Sequence, residues 1–371
     1  MFDVLIGLVI AFATTYFCLP RVIYIADKKK LFDVPDNRKV HKAPIASLGG
    51  VAIFFGVTLA CIYCIPFSQA VAFQYYLTAA LIIFFLGMQD DILTIAPGKK
   101  MLGQMLAALI VIYKGGLVLT NLQGFAGIYN MPLVAGFALT LLIMIAVINA
   151  FNLIDGVDGL AGTLGGATSI LLGYFFLKNG HYPYAILSFA LSGSLLAFLS
   201  FNLQPARIFM GDTGSLLVGL ICSVLVLKFI QLAPQSKVFQ TDASPAVGFS
   251  MIMIPLLDTI RVFSIRLWNR QSPFCPDKNH IHHLLLAKGF SHARVTSILL
   301  ISTLCSVAAA CLLSFIGTTM LIFFISGLYF GFVKMICLLT PVRKTQKRIR
   351  SHSSNYATEN NIPLLASQAK S

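Results

Sequence analysis

The run PLVAGFALTLLIMIAVINAF at residues 132–151 carries no charged side chain, and the polar motif Asn152-Leu-Ile-Asp155-Gly-Val-Asp158-Gly follows it directly. A helix needs about 20 consecutive, mostly apolar residues to cross the hydrocarbon core of a membrane. The run therefore predicts a membrane-spanning helix, and the motif lies where that helix ends. The rest of the chain repeats this arrangement of long apolar runs with polar breaks between them.

The composition extends this prediction to the whole chain. Hydrophobic residues make up 57% of the 371 residues and charged residues only 11%, and a soluble domain of that composition would expose a very large apolar surface. We predict an all-α fold, a polytopic transmembrane helical bundle of about eleven spans. The predicted helices are residues 2–25, 45–66, 71–89, 100–119, 132–151, 159–178, 183–202, 213–232, 245–268, 294–314 and 318–338.

The distribution of basic residues predicts the orientation of the bundle. With the N-terminus outside, the outer side carries only Lys114, Lys178, Lys228 and Lys237 of the 27 Lys and Arg residues. Cytoplasmic loops of membrane proteins carry an excess of Lys and Arg, so we predict a cytoplasmic C-terminus. Residues 1–338 then form a transmembrane domain, and residues 339–371 a basic, disordered cytoplasmic tail. The net charge of +14 is explained by this topology, and it attracts the protein to anionic lipid headgroups. No nucleic-acid-binding motif accompanies the charge.

Carboxylates gather on the predicted cytoplasmic side. Ionisable groups at membrane depth cost several kcal/mol and are candidates for function by default. Ten of the thirteen acidic residues lie on or near that side: Asp27, Asp33, Asp36, Asp90, Asp91, Asp155, Asp158, Asp212, Asp258 and Asp277. The sequence therefore predicts an enzyme whose site lies at the membrane surface.

Asp90 and Asp91 close the third predicted helix, where the helix dipole already presents partial negative charge. Two adjacent carboxylates repel each other there unless a cation compensates. One interpretation is a solvated helix end, helped by Lys99 and Lys100 across the loop. The other is a magnesium-linked or proton-accepting pair.

Two further motifs carry amides and carboxylates. Residues 149–162 place Asn or Asp at every third position up to Asp158, together with glycines, which indicates either helix packing or close approach of a ligand. Asp212 opens the eighth predicted helix. It is either an N-cap with Thr213 and Ser215 in the first turn, or a metal ligand beside amides that are free to bind phosphate oxygens.

The last large cytoplasmic loop contains His280-Ile-His282-His283, which is preceded by arginines. Imidazoles beside arginines suit a ligand that carries a diphosphate. A zinc site and a plain solvated loop are the alternatives, although no HExxH motif or cysteine partner supports zinc. Asp258 and Arg261, three residues apart, predict an ion pair within one helix.

Taken in order, these motifs resemble those of the polyprenyl-phosphate N-acetylhexosamine-1-phosphate transferase family, which also contains the phospho-N-acetylmuramoyl-pentapeptide translocase. The matching motifs are Gly87-Met-Gln-Asp90-Asp91, Asn149-Ala-Phe-Asn152-Leu-Ile-Asp155-Gly-Val-Asp158-Gly-Leu-Ala, Phe209-Met-Gly-Asp212-Thr-Gly-Ser and His280-Ile-His-His283. The resemblance covers residues 1–338 and implies that this part is the catalytic domain. It implies transfer of a sugar 1-phosphate from a UDP-sugar to undecaprenyl or another polyprenyl phosphate, with release of UMP.

The resemblance also implies roles for individual residues. The catalytic residues are expected to be Asp90, Asp91, Asp155, Asp158, His282 and His283. The substrate-binding residues are expected to be Lys42, Asn152, Asn202, Phe209, Arg207, Lys278 and His280, with Phe209 stacked on uracil. Asp212 and Asn152 are expected to hold Mg²⁺, with Mn²⁺ as a substitute. The expected partners are UDP-N-acetylhexosamine, the polyprenyl phosphate, membrane lipids and a second copy of the chain in a homodimer, at a bacterial inner membrane.

Two positions depart from the family pattern. Thr94 occupies a slot where some members carry a third aspartate, and Lys278 stands where many carry arginine. The His-Ile-His-His motif resembles the simple N-acetylhexosamine branch, which favours UDP-N-acetylglucosamine (UDP-GlcNAc) as donor over the pentapeptide substrate of the translocase. An ion-coupled transporter with aspartates along its pathway is the alternative from another class. A CDP-alcohol phosphatidyltransferase is disfavoured because its arginine after the second Asp-Gly is missing.

Overall fold

The computed structural model describes residues 1–30, 32–33, 45–203, 205–271 and 279–339. Helices dominate these residues: α1 (Phe2–Lys29), α2 (Gly49–Cys64), α3 (Ala72–Leu93), α4 (Pro97–Leu109, continued by a π-helical turn Ile110–Lys114), α5 (Leu133–Ile154), α6 (Leu160–Lys178), α7 (Tyr182–Asn202), α8 (Gly211–Leu232), α9 (Ser244–Met251), α10 (Met253–Trp268), α11 (Ile281–Ala287), α12 (His292–Leu312) and α13 (Thr318–Leu339). Four short strands accompany them, β1 (Phe32–Asp33), β2 (Ile45–Ala46), β3 (Asn121–Phe125) and β4 (Ile128–Asn130), paired antiparallel as β1–β2 and β3–β4.

The predicted all-α, multi-pass membrane architecture is confirmed. Within the described ranges, eight helices are long and apolar enough to cross a membrane, or nine if α9 and α10 together form one span. Helix α2, with 16 residues, and the divided α4 are shorter than this limit. The count of eleven spans and the orientation of the bundle therefore stay predictions.

The prediction of one continuous helix at 245–268 is wrong, because the chain bends by 80° between α9 and α10. Pro255 has no backbone N–H and cannot bond to the carbonyl of Met251, four residues earlier. The hydroxyl of Thr168 on α6 donates to that carbonyl instead, at 3.0 Å. A neighbouring helix thus supplies the hydrogen bond that the Met251 carbonyl lacks at the break, and buried backbone groups within a membrane need such partners.

The predicted start of the second helix at residue 45 is also wrong. Residues 45–50 run beside residues 208–210: Phe209 N–H donates to the Ala46 carbonyl at 2.8 Å, and Gly49 N–H donates to the Phe209 carbonyl at 2.9 Å. The helix begins only at Gly49. This pairing fixes the start of α2 beside the start of α8.

Helix α8 is the centre of the bundle. In its most apolar window 83% of the residues are buried, against 28% in the corresponding windows of α1 and α13. Large apolar side chains on the outer helices, such as Phe17 and Phe323, are exposed and form the lipid-facing surface that the bilayer would cover. Asp212, the second residue of α8, is therefore placed at the end of the most enclosed helix.

Glycines allow α2, α3 and α8 to meet at backbone distance near Asp212. A Cβ atom added at Gly50 would lie 2.1 Å from the backbone nitrogen of Gly214, and one added at Gly87 would lie 2.4 Å from the Cα of Thr213. Small residues commonly permit such close approach between membrane helices. The contact sets how the ends of these three helices are placed relative to one another.

We expect Gly50→Ala to lower the stability of the purified protein by about 1–3 kcal/mol or more, because the new methyl group overlaps backbone that cannot rotate away. Gly327→Ala on α13 is the matched control, since nothing lies within 4 Å of its added Cβ. The midpoint of thermal unfolding in detergent measures both. Equal midpoints for the two variants would show that the contact is not tight.

Candidate active site

Four polar side chains meet where helices end or begin on one face of the bundle. Asp90 lies in the last turn of α3, Asn152 in the last turn of α5, Lys100 in the first turn of α4 and Asp212 in the first turn of α8. Apolar runs bring each helix to this boundary, and the polar residues follow immediately. We call these four residues the inner cluster.

Lys100 is the centre of the inner cluster. Its Nζ lies 2.9 Å from Asp90 Oδ2, donates to Asn152 Oδ1 at 3.1 Å, and pairs with Asp212 Oδ2. The Asn152 amide in turn donates to Asp212 Oδ1 at 2.7 Å and to the Ser215 hydroxyl at 2.9 Å. Oxygen atoms from three helices thus converge on one positive charge.

Asp91 points elsewhere, toward the first turn of α8. Its Oδ1 accepts from the Asp212 N–H at 2.7 Å, and its Oδ2 accepts from the Thr213 N–H at 3.0 Å and the Thr213 hydroxyl at 2.6 Å. Asp212 itself is not an N-cap, because it lies inside the helix and the capping position is Met210. The carboxylate that satisfies the start of α8 comes from α3.

Asp155 and Asp158 lie in the turn between α5 and α6. Removal from water, together with repulsion from Asp212, Asp91 and Asp158, raises the pKa of Asp155 to about 8. At neutral pH the Asp155 carboxyl is therefore mostly protonated, because a further negative charge among these carboxylates is unfavourable. A site of this kind favours binding of a further cation.

Asp158 is buried and held from α12. Its Oδ1 and its backbone nitrogen each lie 3.3 Å from His292 Nδ1, and the Thr296 hydroxyl donates to its carbonyl at 3.1 Å. The next residue, Gly159, donates its N–H to Asn202 Oδ1 at 2.7 Å. These contacts lock the turn that carries both aspartates.

The histidine motif is anchored by Asp258, which is 1% exposed. Its carboxylate lies 2.8 Å from His280 Nδ1, accepts from the Ile281 N–H at 2.9 Å and from the Tyr329 hydroxyl at 3.1 Å, and pairs with Arg261 at 2.8 Å. The predicted intrahelical ion pair is confirmed. The contacts of the same carboxylate with the start of α11 and with Tyr329 on α13 could not be predicted from residue spacing.

The Asp258 network predicts a large stability effect. Asp258→Ala leaves Arg261, His280 and Tyr329 without their common acceptor, and breaking a buried charged network of this kind costs about 3–5 kcal/mol. Tyr329→Phe removes a single hydrogen bond and is expected to cost about 1 kcal/mol. Thermal unfolding midpoints should therefore fall much further for Asp258→Ala, and equal midpoints would contradict the network.

The anchored motif brings His282 against the turn between α5 and α6 that carries Asp155 and Asp158, which we call the aspartate turn. His282 is 1% exposed, and a Cβ added at Gly156, between Asp155 and Asp158, would lie 2.5 Å from its Nε2. Burial and the neighbouring His283 lower the pKa of His282 to about 3, so its ring is neutral at physiological pH. Its Nδ1 is buried without a hydrogen-bond partner. His283 is partly exposed, with its ring centroid 4.3 Å from that of His282.

The remaining predicted site residues are placed as follows. Arg207 is exposed and Phe209 partly buried, and both lie in the loop that leads into α8. Asn202 is 5% exposed, and its amide donates to the Ile208 carbonyl at 2.8 Å, so it supports the loop. Lys42 and Lys278 lie outside the described residues. The substrate-binding roles of all five stay predictions.

The inner cluster has the donor chemistry that a magnesium site requires. Within the described residues no three His, Cys, Asp or Glu side chains form a metal-binding group. Two carboxylates and one amide oxygen do converge, at Asp90, Asp212 and Asn152, and Lys100 Nζ occupies their common centre. Magnesium is bound through oxygen, commonly by one or two carboxylates plus substrate phosphates, so these residues fit the ion.

Comparison with known proteins agrees with this geometry. Residues 73–230, which contain Asp90, Asn152 and Asp212, match the family model described as glycosyl transferase family 4. A probable undecaprenyl-phosphate N-acetylglucosaminyl 1-phosphate transferase of Bacillus subtilis is 32% identical over 94% of this chain and 98% of its own length. The chain belongs to glycosyl transferase family 4. The similarity to the Bacillus subtilis protein extends well beyond residues 73–230, which the family model covers.

Other relatives of this family 4 chain have related names. The undecaprenyl-phosphate alpha-N-acetylglucosaminyl 1-phosphate transferase of Yersinia pestis is 32% identical over 79% of this chain and 78% of its own length. The decaprenyl-phosphate N-acetylglucosaminephosphotransferase of Mycobacterium leprae is 33% identical over 78% of each chain. The family resemblance inferred from the four motifs is confirmed.

Sequence reasoning placed Lys100 near Asp90 but missed Gln104, His292 and Thr296, and these residues share a pattern of spacing. Lys100 and the fully buried Gln104 lie four residues apart on α4, and Gln104 exchanges hydrogen bonds with Asn149 on α5. His292 and Thr296 lie four residues apart on α12, and both contact Asp158. Residues four apart share one helix face. Polar pairs at this spacing in apolar helices were the available signal.

Proposed function

We propose that the chain transfers N-acetylglucosamine 1-phosphate from UDP-GlcNAc to a polyprenyl phosphate and releases UMP. The observation that carries this proposal is the inner cluster, in which oxygen ligands from three helices converge beside Lys100 at the end of membrane helices. The relatives are named for transfer of N-acetylglucosaminyl 1-phosphate to undecaprenyl or decaprenyl phosphate. The product would start synthesis of a lipid-linked surface glycan.

The reaction joins two negatively charged phosphates. An oxygen of the lipid phosphate forms a bond to the β-phosphorus of UDP-GlcNAc, and the bond from that phosphorus to the bridging oxygen breaks. UMP leaves with the bonding electron pair on that oxygen. Catalysis of phosphoryl transfer rests on positioning and on neutralisation of charge. Lys100 supplies one positive charge at the required place, where it already neutralises Asp90 and Asp212.

Asp212 and Asn152, with Asp90 beside them, would hold Mg²⁺, or Mn²⁺ as a substitute. The ion would neutralise negative charge on the diphosphate. Asp212 projects from the start of α8 with 32% of its side chain exposed, and it is the most accessible carboxylate of the inner cluster. Asn152 orients it by donating to Oδ1. Asp90 is the candidate to take a proton from the lipid phosphate.

The aspartate turn and the histidine motif would form the part of the site that binds UDP-GlcNAc. Asp155 and Asp158 are held beside neutral His282, whose ring can donate or accept a hydrogen bond without adding charge. Sugar hydroxyl and amide groups need partners of this kind. His283, Arg207 and Phe209 are accessible enough to reach the phosphates and the base.

We further propose that this face is cytoplasmic, in a bacterial inner membrane crossed about eleven times. The positive-inside distribution of Lys and Arg supports this orientation. The lipid chain would remain in the membrane while its phosphate reaches the helix ends. An ion-coupled transporter is less favoured, because Asp90, Asp155 and Asp212 lie at helix ends and not midway along a span.

The direct test supplies purified protein with Mg²⁺, polyprenyl phosphate and, one at a time, UDP-GlcNAc, UDP-N-acetylgalactosamine, UDP-glucose or UDP-N-acetylmuramoyl-pentapeptide. We expect UMP release that requires the lipid and is fastest with UDP-GlcNAc. Preference for the pentapeptide nucleotide would instead assign the translocase reaction. No lipid-dependent UMP from any donor, with ion uptake into proteoliposomes, would favour the transporter.

A further inference from the structure

The two adjacent aspartates at the end of α3 have different surroundings. We propose that Asp91 is a positioning residue, which fixes the start of α8 and so the direction of Asp212, while Asp90 alone of the pair faces the reactants. This inference rests on the proposed function, because it divides the work of that same site. It replaces the sequence-based expectation that both aspartates act on substrate or metal.

The contacts of Asp91 are those of a helix cap supplied by another helix. The first backbone N–H groups of any α-helix lack partners within the helix, and in α8 the side chain of the N-cap residue Met210 does not accept from them. Asp91 accepts from two of these groups and from the Thr213 hydroxyl, at distances from 2.6 to 3.0 Å. A carboxylate has about four lone-pair positions, so three are already used.

Glycines on both α3 and α8 allow the two helices to come as close as these contacts require. A Cβ atom added at Gly211, whose φ is +70°, would lie 2.8 Å from each carboxylate oxygen of Asp91. One turn before Asp91 on α3, Gly87 lies against the backbone of Thr213. Neither position has room for a side chain. The helices are therefore packed so that the Asp91 carboxylate reaches the first turn of α8.

Asp90 points to the inner cluster instead. Consecutive residues of a helix are rotated by about 100° around its axis, so the two side chains leave α3 in different directions. Asp90 Oδ2 lies 2.9 Å from Lys100 Nζ, and Oδ1 accepts from the Ile95 N–H at 2.6 Å. Through Lys100 it shares a cation with Asp212 and Asn152, which are the proposed metal ligands.

Loss of the Asp91 contacts would leave donors of the α8 start unsatisfied, including those of Thr213, which is 0% exposed. The first turn would then move to find other acceptors, and Asp212 would move with it. Displacement of a reacting group by about 1 Å can reduce turnover about 100-fold. Asp91 would thus control the rate without touching either substrate.

Thr213 provides the sharpest test, because it contacts Asp91 and is 0% exposed. Thr213→Val removes one donor to a charged acceptor, and we expect kcat for lipid-dependent UMP release to fall about tenfold with little change in KM for UDP-GlcNAc. Thr213→Ser keeps the hydroxyl and should restore kcat. The matched control is Thr303→Val on α12, whose hydroxyl donates only to the Leu299 carbonyl within its own helix, at 3.0 Å. This control should keep full activity.

Asp91→Asn, alone and combined with Thr213→Val, completes a double-mutant cycle. We expect about a 100-fold loss of kcat, little further loss when Thr213→Val is added, and residual activity with the pH profile of the unaltered enzyme. Full activity of Thr213→Val beside an inactive Asp91→Asn would overturn the proposal. So would loss of the acid limb of the pH profile in Asp91→Asn, which indicates a catalytic base.

A second measurement separates this inference from the proposed function. If the unaltered protein releases no UMP, the proposed function fails, but thermal unfolding still tests the contact. Asp91→Asn and Thr213→Val should each lower the unfolding midpoint, and the double variant should lie close to Asp91→Asn alone. Additive losses would contradict the contact between the two residues whatever the reaction is.

Discussion

Asp212→Ala is expected to abolish lipid-dependent UMP release, by about a thousandfold or more, while the protein remains in the membrane in normal amount. Asp212 receives the Asn152 amide and Lys100 on its two oxygens, so alanine removes the centre of the proposed metal site. The fold should tolerate the change, because 32% of the side chain is exposed and Lys100 keeps Asp90 as a partner.

The control for Asp212→Ala is Asp242→Ala, since Asp242 is an exposed aspartate that precedes α9 and lies outside the inner cluster. It should keep full activity. Amounts of both variants are compared in membranes and after purification by size-exclusion chromatography. Near-normal turnover of Asp212→Ala would remove Asp212 from the reaction and leave it only a place in the first turn of α8.

Lys100→Met is expected to lower kcat about 100-fold, because it removes the one cation that the described part of the chain places among the inner-cluster oxygens and replaces it with an apolar side chain of similar length. Lys100 contacts Asp90, Asn152 and Asp212, from α3, α5 and α8. Without it, the two carboxylates repel each other. We also expect the Mg²⁺ concentration for half-maximal activity to change, since the ion and the lysine serve the same oxygens.

The neighbouring Lys99 makes a matched control for the substitution at residue 100. It is exposed, whereas Lys100 is largely buried. Lys99→Met should therefore leave kcat within about twofold, since exposed single charges contribute little. Equal losses in the two variants would indicate a general effect of positive charge near the membrane surface and would count against the specific bridge.

Much of the fold follows from hydrophobicity, because a bilayer imposes helices on long apolar runs. Hydrophobicity could not predict where individual helices bend or begin, or where short strands form. The bend before Pro255 depends on the Thr168 hydroxyl of another helix, and the late start of α2 depends on pairing with residues 208–210. The β3–β4 hairpin lies in a segment without a long apolar run. The bend and the late start of α2 therefore depend on contacts between distant parts of the chain.

The candidate site shows the same division. Residue types and spacing were enough to single out Asp90, Asn152, Asp155 and Asp212. They could not show that Asp90 and Asp91 diverge, since that depends on the rotation of α3 against α8. Nor could they show which lysine after the loop turns inward. Rotation of a helix about its axis is set by packing, here by glycines that allow backbones to touch.

In the proposed reaction a sugar phosphate, and not a bare sugar, moves to a lipid phosphate at the inner cluster. UDP-GlcNAc labelled at its β-phosphorus tests this most directly when it is incubated with purified protein, Mg²⁺ and polyprenyl phosphate. We expect the label to enter the lipid extract together with the sugar, with unlabelled UMP in the aqueous phase, and Asp212→Ala to prevent both. Label retained in aqueous UDP while the sugar enters the lipid extract would contradict the proposed reaction.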